Sequence, residues 1–253
     1  MSFDVAADSY GRFMGRYSEQ LADSFVEVAG LEQGQRALDV GCGPGALTAR
    51  LVDRLGPAAV AAVDPSRPFV EAAQQRFPGT DVRRGQAETL PFDGGTFDAA
   101  LAQLVVHFME DPVTGLREMG RVVKPGGVVA ACVWDFAGGR SPLSTFWAAV
   151  EEVDPEAVTE SGLAGARDGH LVELATEAGL QEVEQSTMTV SVPYSGFEEW
   201  WEPYTLGVGP AGAYLVQADL DTRDHIHRRC RETLPEGAFD VVSVAWCVRA
   251  LSR

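Results

Sequence analysis

The chain has 253 residues, 45% of them hydrophobic and 9% aromatic, enough to bury the core of one large domain or of one domain with an insert. Its net charge of −17 repels phosphate backbones and argues against a nucleic-acid substrate. No stretch approaches the ~20 apolar residues that a membrane helix needs, and MSFDVAADSYGRF at the start lacks the basic-then-apolar pattern of a signal peptide.

In chain order, RALDV (36–40) reads as a short buried strand, and the next segment places Leu47, Leu51 and Leu55 at helical spacing with Gly56 as its stop. AAVAAVDPS (58–66) gives a second buried strand, after which Ser66 is expected to cap a helix carrying Phe69, Ala73 and Phe77. TDVRRG supplies a third strand and DGGTFDAALAQLVV (93–106) a turn and a fourth. Asp111 and Pro112 open a helix through about Val123, KPGG ends it, and VVAACVW (128–134) is a fifth strand. Continuous apolar strands alternating with helices mean an α/β fold around a parallel sheet covered on both faces. Beyond it, Ser141-Pro142 starts a helix with Phe146, Trp147 and Val150, and a further helix covers Gly169 to Ala178, ending at Gly179. EVEQSTMTVSVPY alternates like a strand, SGFEEWW opens with a capping box from Ser195 to Glu198, and AFDVVSVAWCVRA (238–250) is a last strand. HIHRRCR (225–231), the densest basic run, reads as the solvated face of a helix with acids nearby. Cys42, Cys132, Cys230 and Cys247 are too scattered for a disulfide framework or a zinc site, so no metal is expected and a reducing cytoplasm fits best.

The stretch LDVGCGPGALT sets Gly41, Gly43 and Gly45 between a strand and a helix, where a ligand can lie against bare main chain. The spacing is G-x-G-x-G, not the G-x-G-x-x-G of dinucleotide sites. Pro44 removes one amide donor and Asp39 adds a negative charge, so a cationic ligand suits the loop better than a diphosphate. Asp64, 19 residues after Gly45, stands where an acid takes two ribose hydroxyls, a role common to nicotinamide and adenosyl cofactors.

LDVGCGPG, VDPS, GQAETLPFDGGTFDAALAQLVVHFMEDP and REMGRVVKPGG, in this order, resemble the class I S-adenosylmethionine (SAM)-dependent methyltransferases, of the small-molecule type grouped with ubiquinone/menaquinone-biosynthesis enzymes. The resemblance is strong over about residues 8–135. It implies a doubly wound, mostly parallel seven-stranded Rossmann-like sheet with a helical lid insert. The expected organisation is an N-terminal helical cap over the cofactor (1–33), a SAM-binding core (34–135), a lid that binds the acceptor (136–215), and a last helix and strand completing the sheet (216–253). By the same resemblance Gly41, Cys42 and Gly43 line the methionine part of SAM, Gly45 supports the turn, Asp64 grips the ribose, and Pro65 and Ser66 lie beside the adenine. Gly85, Gln86 and Ala87 stand where the family commonly has Gly-Asp-Ala, so Gln86 meets the adenine amino group through an uncharged amide oxygen. Gln103 and Leu104 lie beside the sulfonium and amino group through backbone atoms. SYGRFMGRYS (9–18) resembles the family's covering helix, with Arg16 paired to the SAM carboxylate and Tyr10 shielding the methyl.

Methyl transfer from a sulfonium asks mainly for alignment, and a phenol or alcohol acceptor also needs a base. His107 is the base candidate, at the end of the fourth strand with an ordinary pKa near neutrality. Trp134, Asp135, Arg140, Tyr194, Trp200, Trp201 and Tyr204 are expected either to wall the acceptor or to glue the lid to the core. The implied activity is methylation of an oxygen, nitrogen or carbon of a small quinone-like or secondary-metabolite-like molecule, releasing S-adenosylhomocysteine. A homodimer is the assembly considered. The competing expectations are a SAM-binding protein that does not methylate and, against the loop spacing, a nicotinamide dehydrogenase.

Overall fold

A computed structural model describes residues 11–253; Tyr10 lies outside them. Seven strands form one sheet: β1 (Ala37–Val40), β2 (Val60–Asp64), β3 (Asp81–Arg84), β4 (Phe97–Gln103), β5 (Val123–Trp134), β6 (Gln181–Tyr194) and β7 (Phe239–Leu251). Their order is β3-β2-β1-β4-β5-β7-β6. Neighbours are parallel except β7, which is antiparallel to both β5 and β6. The chain direction of the order reverses between β1 and β4, so the loops after these two strands meet at one edge, the switch point where such sheets bind ligands.

The helices are α1 (Arg16–Ala29), α2 (Ala46–Leu55), α3 (Arg67–Arg76), α4 (Pro112–Val122), α5 (Ser144–Val153), α6 (His170–Glu177), α7 (Phe197–Trp201), α8 (Gly209–Gln217) and α9 (Leu220–Thr233). The expected stops and caps act at several ends. Gly56 N–H donates to the Val52 carbonyl at 2.8 Å, and Asp111 accepts from the Thr114 N–H at 3.0 Å. Burial follows the apolar runs: β1 and β2 are buried along their whole length, and Leu38, Leu101, Phe97 and Trp134 are fully inside. Each such side chain contributes roughly 1.5–3 kcal/mol by leaving water.

Three local expectations are corrected. The helix ends before KPGG as expected, but the fifth strand starts at Val123 and not at 128: KPGG is part of β5, which pairs Val123 with Phe97, shifts register, and resumes at Val128 opposite Ala99. Ser66 stands at the N-cap of α3 without a side-chain cap bond, and its N–H donates to Asp64. Ser195 is bonded by Glu199, not Glu198: both its N–H and its hydroxyl donate to Glu199 Oε2 at 2.7 Å. HIHRRCR lies on α9, where Arg229 pairs with Glu152 and Glu232, as a solvated face would.

Candidate functional site

The glycine loop leaves β1 at the carboxyl edge of the sheet. The N–H groups of Gly41 and Cys42 both donate to the Val63 carbonyl, at 2.7 and 3.0 Å, folding the loop onto β2. Gly41, Gly43 and Gly45 have φ of +71°, +53° and +95°, a region that costs other residues roughly 1–2 kcal/mol. Their open sides differ. A Cβ on Gly41 would stand 2.4 Å from Val105 and one on Gly45 2.3 Å from Phe77, whereas one on Gly43 would meet nothing within 4 Å. Gly41 and Gly45 therefore make room for protein, and Gly43 is the glycine of the three that opens outward. Cys42 is buried with Ala62, Ala73 and Phe77, so only its backbone remains for a ligand.

Asp64 closes the loop from the end of β2. Its Oδ2 accepts from Gly43 N–H and its Oδ1 from Ser66 N–H, each at 2.8 Å. Burial raises its pKa, and the two amide bonds hold it back. Asp39 is 1% exposed and accepts from the Thr48 hydroxyl at 2.6 Å. Burial pushes its carboxyl up to about 7, with Thr48 opposing and Asp64 adding to the rise. The loop thus rests on two buried acids, a setting that favours a ligand with a positive centre and hydroxyl donors. Pro65 and Gln86 are exposed beside Asp64, and Ala87 is buried; Gly85 N–H donates to the Asp64 carbonyl at 3.1 Å.

The fourth strand ends on strained backbone. Leu104 has φ +59°, held by its N–H donating to the Cys132 carbonyl at 2.9 Å. Such a non-glycine conformation costs about 1–3 kcal/mol and clusters at functional sites. Gln103 Nε2 donates to the Ser18 carbonyl at 2.9 Å, tying β4 to α1, while its Oε1 is buried with no partner among the described residues. Val105 fills the space above Gly41, interlocking the two loops.

His107 follows in a short turn and is 7% exposed, its ring 3.9 Å from that of Phe108 and 5.7 Å from that of Phe136. Nδ1 is buried with no partner among the described residues. Burial pulls its pKa down to about 3, so the imidazole is neutral at pH 7 and weakly basic.

His107 and Leu104 line an apolar cavity of about 40 Å³ that side chains from residues 136–215, the segment expected to be a lid, complete. Trp134 and Phe136 from the end of β5 form one wall, and Leu143, Glu160, Val208, Gly209 and Pro210 close it. Trp134 was expected here from the sequence, and one further buried group, Glu160, escaped the sequence reading. Trp134 Nε1 has no partner among the described residues. Glu160, 3% exposed, accepts from Trp147 Nε1 at 2.8 Å, and burial pushes its carboxyl up to about 7. Its neighbours in sequence gave no signal, since Glu151, Glu152 and Glu156 are all exposed.

Other expected residues are engaged elsewhere. Arg16 donates to Glu199 at 2.6 Å and to the Pro193 carbonyl, with its guanidinium 4.6 Å from the Tyr194 ring centre. In this structure it clips α1 to the end of β6. Asp135 accepts from Arg140 at 2.5 Å, from Gly138 N–H at 2.9 Å and from Trp246 Nε1 at 3.0 Å, pinning the lid's first loop to β7. Tyr194 shares a 2.8 Å hydrogen bond with Tyr17. Tyr204 stacks on Phe146 at 4.7 Å, with Trp200 and Trp201 packed alongside. Of the seven aromatic and charged residues expected around the acceptor, these six hold the lid, and Trp134 lines the cavity.

Comparison with known proteins agrees with this geometry. Residues 38–131 match the family described as a methyltransferase domain. A malonyl-[acyl-carrier protein] O-methyltransferase of Pseudescherichia vulneris is 33% identical over 151 residues, 59% of this chain and 58% of that protein. The matches span between 24% and 59% of curated relatives of this kind. Among solved structures, a putative methyltransferase of Bacillus halodurans C-125 superposes with TM-score 0.60 at 16% identity, covering 91% of this chain and 98% of that one. An N-methyltransferase 2 of Haemonchus contortus, solved with phosphomonomethylethanolamine and S-adenosylhomocysteine, superposes with TM-score 0.58 at 16% identity over 100% of this chain and 60% of that one. Sequence motifs, strand order and these likenesses converge: residues 38–131 match the methyltransferase-domain family, and the chain has the fold of the solved methyltransferases it superposes on.

Proposed function

We propose that the chain transfers a methyl group from SAM to a small organic acceptor, releasing S-adenosylhomocysteine. The observation that carries the reading is the adjacency, through Leu104, of two features. One is a main-chain loop backed by Asp39 and Asp64; the other is an apolar cavity with few polar groups. The backbone of Gly41 to Gly43, the carboxylate of Asp64, the segment Gln86-Ala87 with Pro65 and Ser66, and the backbone of Gln103 and Leu104 would hold the cofactor. The orphaned Gln103 Oε1 is a further acceptor for a cationic group nearby. When bound, SAM supplies a methyl on a positively charged sulfur with a neutral leaving group. The chain's part is to align an acceptor from the cavity, which alone can supply roughly 7–11 kcal/mol. His107, neutral, offers Nδ1 as a hydrogen-bonding partner for the acceptor.

The acceptor is not inherited from likeness. One relative is named for a malonyl thioester carrier, and one structural neighbour holds a phosphorylated amine. Titration calorimetry with SAM and S-adenosylhomocysteine tests the cofactor. Binding of both is expected, with Asp64→Ala weakening it about 10–100-fold, as loss of hydrogen bonds to a charged group costs about 1.5–3 kcal/mol. Absence of binding overturns the reading. Binding without methylated product from any acceptor would favour a SAM-binding protein that does not methylate.

A further inference from the structure

We propose that Glu160 takes the acceptor's proton and that the acceptor is an uncharged hydroxylated ring compound, a phenol or an enol. The proposal rests on the methyl-transfer reading and names the substrate class of the same site.

The cavity's lining decides the charge. Among the described lining residues only His107 and Glu160 are ionisable, and none of them is a lysine or arginine. An acceptor carrying a carboxylate or phosphate would sit desolvated, unpaired and beside a buried acid, a costly arrangement. A protonated amine would instead pair with Glu160, but pairing stabilises the form that lacks a nucleophilic lone pair. A neutral hydroxyl avoids both problems. Phe13, Phe108, Trp134 and Phe136 give the remaining surface an apolar, aromatic character suited to a ring. Trp134 Nε1 and His107 Nδ1, both buried without partners among the described residues, are polar groups held ready for an oxygen.

The position of Glu160 is fixed. Trp147 Nε1 donates to its Oε2 at 2.8 Å, so the carboxyl is held by an uncharged donor, and no cation pairs with it among the described residues. Among the described residues the titratable groups facing this region are His107 across the cavity and Tyr204, whose hydroxyl feels the Glu160 charge. Neither is a better base at pH 7. Tyr204 is pushed far above the ordinary phenol value by burial, and His107 is pulled down to about 3. Glu160, near 7, matches the operating pH, and a cationic sulfur close by would draw it further toward the carboxylate.

The step balances. The acceptor oxygen bonds to the methyl carbon, the carbon–sulfur bond breaks with its electron pair going to sulfur, and the hydroxyl proton passes to the Glu160 carboxylate. Sulfonium and carboxylate charges cancel, and Glu160 later returns its proton to solvent.

The test uses the whole chain with SAM and a matched panel: simple phenols, the corresponding aryl carboxylic acids, and arylalkylamines that are protonated at pH 7, read by S-adenosylhomocysteine release. Turnover of the phenols is expected. Glu160→Gln should lower kcat about 10²–10⁴-fold at pH 7 while leaving S-adenosylhomocysteine affinity within threefold. Its rate should then climb tenfold per pH unit as the phenol ionises in solution, and a more acidic nitrophenol should restore most of the loss. The wild-type rate should level off above about pH 7. Three results overturn the proposal in a protein that binds S-adenosylhomocysteine: preferred turnover of carboxylates or amines, turnover of no class, or the same pH profile in wild type and Glu160→Gln. A protein that does not bind S-adenosylhomocysteine overturns the methyl-transfer reading instead.

Discussion

At the scale of single residues, the three glycines of the loop make the sharpest contrast, because their identical backbone signs conceal different neighbours. Gly45→Ala would drive a methyl to 2.3 Å from Phe77, adding overpacking of about 1–3 kcal/mol to a strained φ. Gly43→Ala carries only the backbone cost, since nothing lies within 4 Å. We expect denaturant unfolding to show Gly45→Ala destabilised by about 2–4 kcal/mol with little intrinsic change in cofactor contacts. Gly43→Ala should cost about 1 kcal/mol of stability yet weaken SAM binding at least tenfold. Equal losses of stability would refute the assignment. The glycines and Asp64 were legible because a short motif fixes both their backbone and their place at a strand end. Glu160 was not, because its burial depends on Trp147 13 residues earlier and on the far side of a helix, which no local pattern encodes.

At the scale of elements, the parallel strands could be read from continuous apolar runs, and the lid could not be read from its aromatics. A cluster of tryptophans and tyrosines looks the same in sequence whether it walls a substrate or binds two layers together. Here it does the second: Tyr204, Phe146, Trp200 and Trp201 stack on one another, and Tyr17 reaches Tyr194 from α1. Arg16 belongs to this same seam. Its ion pair with Glu199 is more than a third exposed, so the pair contributes at most about 1 kcal/mol. Arg16→Ala should leave S-adenosylhomocysteine affinity within threefold in calorimetry and lower stability by no more than about 1 kcal/mol. A tenfold or greater loss of affinity would return Arg16 to the cofactor. The extension of β5 through KPGG was missed for a related reason. Proline and two glycines read as the end of the helix, whereas pairing with β4 on either side of the register shift carries the strand across them.

For the molecule as a whole, the charge that repels nucleic acid also appears inside, as buried acids. Asp39 carries a folded-state pKa near 7 against an ordinary 3.8, raised chiefly by burial. The folded state therefore prefers the protonated form. Its contribution is fully present below about pH 4 and is lost as pH rises toward 7. Relative to Asp39→Asn, which keeps an acceptor for Thr48, wild-type stability should fall by up to about 4 kcal/mol between pH 4 and pH 8. Parallel stability curves for the two proteins would show that Asp39 titrates normally. Fold class and sheet size were legible at this scale through the order of motifs, while the contact of lid with core was left open, being made by long-range pairs such as Asp135 with Trp246.

The place of β7 has a consequence for biosynthesis. β6 is hydrogen-bonded within the sheet only to β7, and β5 meets β7 along its outer side, so both wait on residues 239–251. While translation is still short of that point, the nascent polypeptide displays two open edges, one of them 14 residues long, to whatever neighbours the polysome offers. Slow passage through the codons for residues 239–251 prolongs that exposure. Production yield is thus expected to depend more on conditions late in synthesis than on the stability of the finished fold.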